Sequence, residues 1–282
     1  MKTALITGAN SGIGKMTAIE LAKEGYHIIM VCRNQEKAEE AREEIIRETK
    51  NDTIDIVICD LGIMNQIHEV AKTIRDSYPK LDLLVNNAGM LPDSSRKTTE
   101  EGLEVTFAVN HLSYFFLTRE LMPLLEKADS ARIVNVASNA HRTGRFEPEN
   151  LQIEKGYDTY KAYGNSKLFN IMFTQRLARE IEGSGITTYS LHPGVVATHF
   201  ASESDSLYAK LFSLGRFFMI SPEKGAETTN YLCTEPGIEH LNGKYFVKKR
   251  PVKPKIKAAT DDASCDLLWQ KSEDILESVL KS

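Results

Sequence analysis

Three glycines at G-x-x-x-G-x-G spacing, Gly8, Gly12 and Gly14, stand between an apolar run, Thr3 to Ile6, and a helical pattern that begins at Gly14. Few features constrain a chain more, because a strand must enter this turn and a helix must leave it. Gly8 allows the tight turn, Gly12 lets the backbone approach a pyrophosphate, and Gly14 lets the helix pack closely on the strand. The helix N-terminus then presents unpaired N–H groups and a positive dipole end to the phosphates. Asn10, Ser11 and Ile13 complete the turn and are counted with it as cofactor contacts. Glycine-rich turns also occur without ligands, so the reading depends on further motifs falling where the same site needs them.

The rest of the chain alternates. Short apolar runs at Thr3–Ile6, His27–Cys32, Ile54–Cys59, Leu81–Asn86, Arg132–Ala137, Thr187–His192 and Lys244–Val247 read as strands. Helical patterns separate them at Gly14–Glu24, Gln35–Lys50, Met64–Ser77, Thr99–Leu125, Tyr160–Glu182, Pro222–Cys233 and Asp261–Leu280. This βαβ alternation predicts an α/β fold, a doubly wound parallel sheet of about seven strands with helices on both faces. Ligands bind such Rossmann folds at the carboxyl ends of the strands. No repeat or linker divides residues 1–282, so one domain is expected. It would carry a lid over about 198–221 and a C-terminal extension over about 248–282.

Lys and Arg number 35 against 39 Asp and Glu, a net charge of −4, which gives no pull toward nucleic acid. The first strand begins at once, leaving no room for a signal peptide, and no run of about 18 apolar residues is present to span a membrane. Cys32, Cys59, Cys233 and Cys265 form no C-x-x-C pair, which suits reduced thiols and a cytoplasmic protein. No histidine pair has metal-site spacing, so no metal is expected. The basic run Lys248 to Lys257 reads as a solvated loop, with an anionic membrane surface or an acidic partner as the alternatives.

At the end of the second strand, Val31-Cys32-Arg33-Asn34 lacks the acidic residue that binds a ribose 2′-hydroxyl in NAD sites. Arg33 instead offers a guanidinium for a 2′-phosphate, which favours NADP(H) over NAD(H), with Asn34 beside it. Asp60, in Asp60-Leu61, either accepts from the adenine amine or caps the following turn. The small residues of Asn87-Ala88-Gly89 let the backbone lie against a ribose. Asn110 is a polar residue inside the apolar run Val105 to Leu117, where an unpaired amide would cost a few kcal/mol. It must therefore have partners. The run itself is either buried or a subunit interface, as in a homodimer or tetramer. His111 reads as a satisfied interior histidine.

Ser138 lies at the carboxyl end of the fifth strand, and Tyr163-Gly164-Asn165-Ser166-Lys167 follows on a helix. A separation of four places Tyr163 and Lys167 on one helical face. A free tyrosine has a pKa near 10 and is a poor acid–base group at neutral pH. Bringing it to neutrality takes about 4 kcal/mol of preferential stabilisation of the phenolate. A nearby ammonium in a partly desolvated cleft can supply that.

With these residues in place the sequence closely resembles the short-chain dehydrogenase/reductase family. The resemblance runs through Thr7 to Gly14, Asp60-Leu61, Asn86 to Gly89, Asn110, Ser138, Tyr163 to Lys167, and His192-Pro193-Gly194 before Thr198. It implies that Tyr163 is the proton donor or acceptor. Lys167 would lower its pKa and bind the nicotinamide ribose. Ser138 would bond the substrate oxygen, and Asn110 would hold a water linking Lys167 to solvent. Pro193, Gly194, Val196 and Thr198 would contact the nicotinamide carboxamide, and hydride would leave its pro-S face. Cys32-Arg33-Asn34, Gly243 to Val247 and Leu268-Trp269 look most like the retinol dehydrogenase and WW-domain oxidoreductase branch. The implied activity is NADP(H)-dependent interconversion of a carbonyl and an alcohol. A C=C reductase and a non-catalytic NADP-binding scaffold or sensor are the alternatives. Independently, Leu207, Tyr208, Leu211, Phe212 and Leu214 recur at helical spacing after Thr198, which suits an apolar lid over a lipophilic aldehyde or ketone.

Overall fold

The computed structural model describes residues 1–196, 204–206 and 219–281. The proposed lid and Thr198 lie largely outside the described residues. In chain order come β1 (Thr3–Thr7), α1 (Gly12–Lys23), β2 (His27–Cys32), α2 (Gln35–Thr49), β3 (Ile54–Ile58), α3 (Met64–Ser77) and β4 (Leu83–Asn86). Then follow α4 (Val105–Phe107), a π-helical turn (Ala108–Leu112), α5 (Ser113–Leu125), β5 (Arg132–Val136), α6 (Thr159–Glu180) and β6 (Thr187–His192). The last described elements are α7 (Pro222–Thr234), β7 (Tyr245–Val247), β8 (Arg250–Pro251) and α8 (Asp262–Leu280).

The strands form one sheet in the order β3-β2-β1-β4-β5-β6-β7-β8. The first seven are parallel, and β8 is antiparallel to β7. The order reverses between β1 and β4, so the ligand crevice of a doubly wound sheet opens there. Successive side chains of β1 point to opposite faces, which explains its uninterrupted apolar run. Leu5 packs with Ile67, Leu117 and Phe169 on one face, while Ala4 and Ile6 pack with Ile19, Leu21 and Leu232 on the other.

Two elements differ from the sequence expectation. The helix expected from Thr99 begins six residues later, at Val105. Gly102 adopts φ +78°, which a helix cannot continue through, and Glu104 then caps the new start. Its carboxylate accepts from Thr106 N at 3.0 Å and Phe107 N at 2.6 Å. The eighth strand lies inside the basic run. Residues 247–250 turn tightly, with Lys248 and Lys249 at φ 53° and 63°, while Lys253, Lys255 and Lys257 are exposed.

The apolar helix α5 is covered from within the chain. Phe115 meets Trp269 of α8 edge-on at 4.8 Å, and Leu268 is 1% exposed. The C-terminal helix is therefore part of the main core. Leu268→Ala should cost about 2–5 kcal/mol, the usual range for a buried leucine. Leu267→Ala, on the 41% exposed neighbour, should stay within about 0.5 kcal/mol. Urea unfolding at unchanged m-value measures both, and equal costs would place α8 outside the core.

Candidate active site

The glycine turn is held by close approach. An added Cβ at Gly14 would stand 2.4 Å from Gly8 O and 2.5 Å from Asn87 Nδ2, so only glycine fits. Gly8 itself adopts φ +67°. Asn87 Nδ2 donates to Thr7 O at 2.8 Å, and Thr7 Oγ1 accepts from the N–H groups of Asn87 and Ala88, both at 2.9 Å. The side chain of Asn87, whose backbone is expected to lie against a ribose, thus stitches the end of β4 to the end of β1.

At the start of α1, Ser11 makes no side-chain capping bond and the first turn carries no acidic residue. Its N–H groups keep no side-chain acceptor, which fits an incoming phosphate. Asn10, Gly12 and Ile13 line the same turn. Arg33 is exposed just beyond β2, and Asn34 Oδ1 caps α2 by accepting from Lys37 N at 2.8 Å. Asp60 follows the capping alternative, its Oδ1 accepting from Gly62 N at 2.8 Å, while Leu61 is buried. Pro193 and Gly194 follow β6, and Gly194 has φ +103°. Val196 is buried and bridges to Ile220.

Asn110 occupies the middle of the π turn, and its side chain is fully engaged. Its Oδ1 accepts from Met90 N at 2.8 Å, while Nδ2 donates to Met90 O at 3.0 Å and to Ser166 Oγ at 3.2 Å. Next to it, Tyr114 donates to Ala88 O at 2.7 Å. The π turn and the loop after β4 are thereby locked together.

Ser138 follows β5, and its Oγ accepts from Ala140 N at 3.1 Å, which leaves the hydroxyl hydrogen for another acceptor. The short 3₁₀ turn after it, Asn139–Thr143, lies directly on α6. A Cβ at Gly164 would stand 2.4 Å from Thr143 Oγ1 and 2.8 Å from Gly144 N. Asn165 Oδ1 accepts from Arg145 N at 2.7 Å. Gly164 therefore brings the segment after Ser138 against the turn that carries Tyr163. A glycine inside a long helix costs about 1 kcal/mol, and that anomaly was the one sequence signal for this contact.

Tyr163 and Lys167 share one face of α6, as the spacing predicts. Lys167 is 2% exposed; its Nζ donates to Val136 O at 3.2 Å and lies 5.7 Å from the ring centres of both Tyr163 and Tyr114. Burial pulls its pKa down from the ordinary lysine range to about 7. Asn170, one turn further along α6, also points inward, donating to Asn110 O at 2.9 Å and Val136 O at 3.3 Å. Below the site, Asn86 Nδ2 donates to Thr118 Oγ1 and Asn135 Oδ1, and Asn135 Nδ2 donates to Thr174 Oγ1 and Thr188 Oγ1. The roles of Asn170, Asn135 and Gly164 escaped the sequence reading because their partners are distant in the chain.

The lowered pKa makes Lys167 a cost to the fold. The unfolded chain keeps the proton up to about pH 10, whereas the folded chain releases it near 7. Stability therefore rises with pH across that window, and the burial penalty is full below it. Lys167→Met should accordingly melt several degrees above the parent at pH 6, with the gain shrinking toward pH 10. Thermal scans across this range check it; a variant melting lower at every pH would show that the ammonium stabilises the fold.

The short chain dehydrogenase family model matches residues 2–208. Retinol dehydrogenase 11 of Homo sapiens is 40% identical over 274 residues, 95% of this chain and 86% of its own length. A solved protein from Mycobacterium paratuberculosis superposes with TM-score 0.78 at 28% identity, covering 98% of this chain and 94% of that one. A short chain dehydrogenase from Escherichia coli CFT073, complexed with NADPH, superposes with TM-score 0.66 at 25% identity, covering 87% and 95%. The doubly wound sheet agrees with the family match, which spans more than half of the chain: the chain belongs to the short chain dehydrogenase family.

Proposed function

We propose that the protein is an NADP(H)-dependent oxidoreductase that interconverts a lipophilic aldehyde or ketone and its alcohol. The observation that carries this reading is Lys167, buried beside Tyr163 and bound to Val136 O, where its charge acts on the phenol rather than on solvent. When bound, the nicotinamide supplies or accepts the hydride. Tyr163 gives the substrate oxygen its proton during reduction and takes it back during oxidation. Lys167, in its protonated form, stabilises the phenolate and so favours proton transfer through Tyr163. Ser138, already an acceptor from Ala140 N, donates its hydroxyl hydrogen to the same oxygen and orients it. Asn110 braces the loop after β4 and supports the cleft wall.

The glycine turn would hold the pyrophosphate, and Arg33 the 2′-phosphate. The NADPH complex of the solved E. coli relative supports that choice. The name of the human relative, a retinol dehydrogenase, supports a lipophilic, retinal-like substrate. Among the described residues no helix is long and apolar enough to cross a membrane, and a cytoplasmic location belongs to this proposal.

Tyr163→Phe removes the proton donor and keeps the ring. Turnover of NADPH with a panel of aldehydes and ketones should fall by about a hundredfold or more, while NADPH affinity stays close to the parent. Near-normal turnover would remove Tyr163 from the chemistry. NADPH binding by the parent without turnover of any carbonyl or enone would favour the scaffold reading.

Arg33→Asp should lose the phosphate clamp and gain an acceptor for a ribose hydroxyl. Charge-assisted bonds contribute about 1.5–3 kcal/mol each, so preference should move toward NADH by about tenfold or more. A parent that already prefers NADH would contradict the assignment of Arg33.

A further inference from the structure

Lys167 Nζ has three N–H groups, and Val136 O takes one of them at 3.2 Å. The same carbonyl also accepts from Asn170 Nδ2 at 3.3 Å, and the other hydrogen of that amide goes to Asn110 O at 2.9 Å. Two main-chain carbonyls thus converge on the Asn170 amide, and one of them, Val136 O, is also the acceptor of the lysine. Carbonyls only accept, so the orientation of this amide is determined: Nδ2 faces them, and Oδ1 faces His111 Nδ1 at 3.3 Å. His111 Nδ1 must therefore carry a hydrogen. Burial holds the ring neutral, its pKa pulled down to about 4, so Nε2 is an acceptor. Nε2 lies 3.4 Å from Ser272 Oγ of α8, whose hydroxyl hydrogen goes to Leu268 O at 2.8 Å. Asn110, His111, Asn170 and Ser272 are all 0% exposed.

We propose that Asn170 is a positioning residue for Lys167: it occupies the Asn110 and Val136 carbonyls and so leaves the other N–H groups of the lysine for the cleft. His111 Nδ1 holds Asn170 in that orientation, and Ser272 of α8 lies against the other ring nitrogen. The chain of contacts begins in the π turn and ends on the C-terminal helix, outside residues 2–208 matched by the family model. Without Asn170, Val136 O would lose its second donor and hold the ammonium more strongly, drawing it away from Tyr163. As a role in catalysis this rests on the proposed oxidoreductase reading; the contacts themselves do not.

The test compares the parent with Asn170→Leu, His111→Leu and His111→Gln. Glutamine keeps an N–H that can reach Asn170 Oδ1, and leucine does not. Lys167 is titrated directly by NMR of protein labelled with ¹³C-lysine, and kcat and KM are followed against pH with NADPH and a carbonyl. In Asn170→Leu the Lys167 midpoint should rise by about half a pH unit or more. Its kcat should fall about tenfold, with both KM values within about threefold of the parent. His111→Leu should move both readouts in the same direction, and His111→Gln should recover most of the loss. An unmoved Lys167 midpoint in folded Asn170→Leu would overturn the proposal, as would His111→Gln behaving like His111→Leu. If Asn170→Leu does not fold, the His111 pair decides. If the parent reduces no carbonyl, the functional reading fails, and the Lys167 titration still decides the positioning role.

Discussion

The cleft depends on a β-carbon that is not there. With glycine at position 14, α1 sits against Gly8 O and Asn87 Nδ2 at a distance no side chain would permit. That seating lets Asn87 and Ala88 bond to Thr7 and fixes the end of β4 beside the end of β1. Once β4 ends there, Ala88 O receives the Tyr114 hydroxyl and Met90 receives both polar ends of Asn110. Those bonds hold the π turn. The turn, in its place, presents Asn110 O to Asn170 on α6, one turn from Lys167. The glycine turn and the face of α6 that carries Tyr163 and Lys167 are thus joined by one series of contacts.

The interior beneath the cleft is polar. Asn86 and Asn135 pair across β4 and β5, and their remaining donors reach threonines on α5, α6 and β6. A buried amide without partners would cost a few kcal/mol, and here both amide nitrogens are paired while Asn86 Oδ1 has no partner among the described residues. The paired donors fix the relative position of the strands whose ends carry Ser138 and Asn87. Lys167 adds a cost of another kind, because its burial destabilises the charged form. The role proposed for Lys167 would account for that cost, as a stability–function trade.

The alternation of strands and helices was legible because periodicity and glycine turns are local signals. Tyr163 and Lys167 were legible for the same reason, since spacing by four is a property of one helix. Asn110 was marked by its polarity inside an apolar run, but its partners were not, because Met90 and Asn170 approach it only in the folded chain. Two asparagines offered to the cofactor proved to have structural bonds for their side chains. Asn34 caps α2 and Asn87 joins two strands, both common uses of a short amide beside a turn. The late start of the helix at Val105 followed from a glycine and a carboxylate, Gly102 and Glu104. Their effect was hidden by the apolar pattern that continues across them.

The C-terminal region reaches the site by two separate routes. Ser272 of α8 meets His111, and the chain just after β8 meets His141. His141 Nδ1 donates to Ser138 O at 2.7 Å, and its Nε2 accepts from Lys255 N at 3.4 Å. A carbonyl only accepts and a main-chain N–H only donates, so this ring too is neutral with hydrogen on Nδ1, and burial keeps its pKa below the usual histidine value. The basic run is therefore two things at once. Its cations are exposed, as a solvated loop requires, while the backbone of Lys255 braces the residue that holds Ser138. Ser138 is held through one of these histidines and Asn170 through the other, each from chain beyond the matched family region. Truncating that region would thus remove the neighbours of both histidines, not merely shorten the fold.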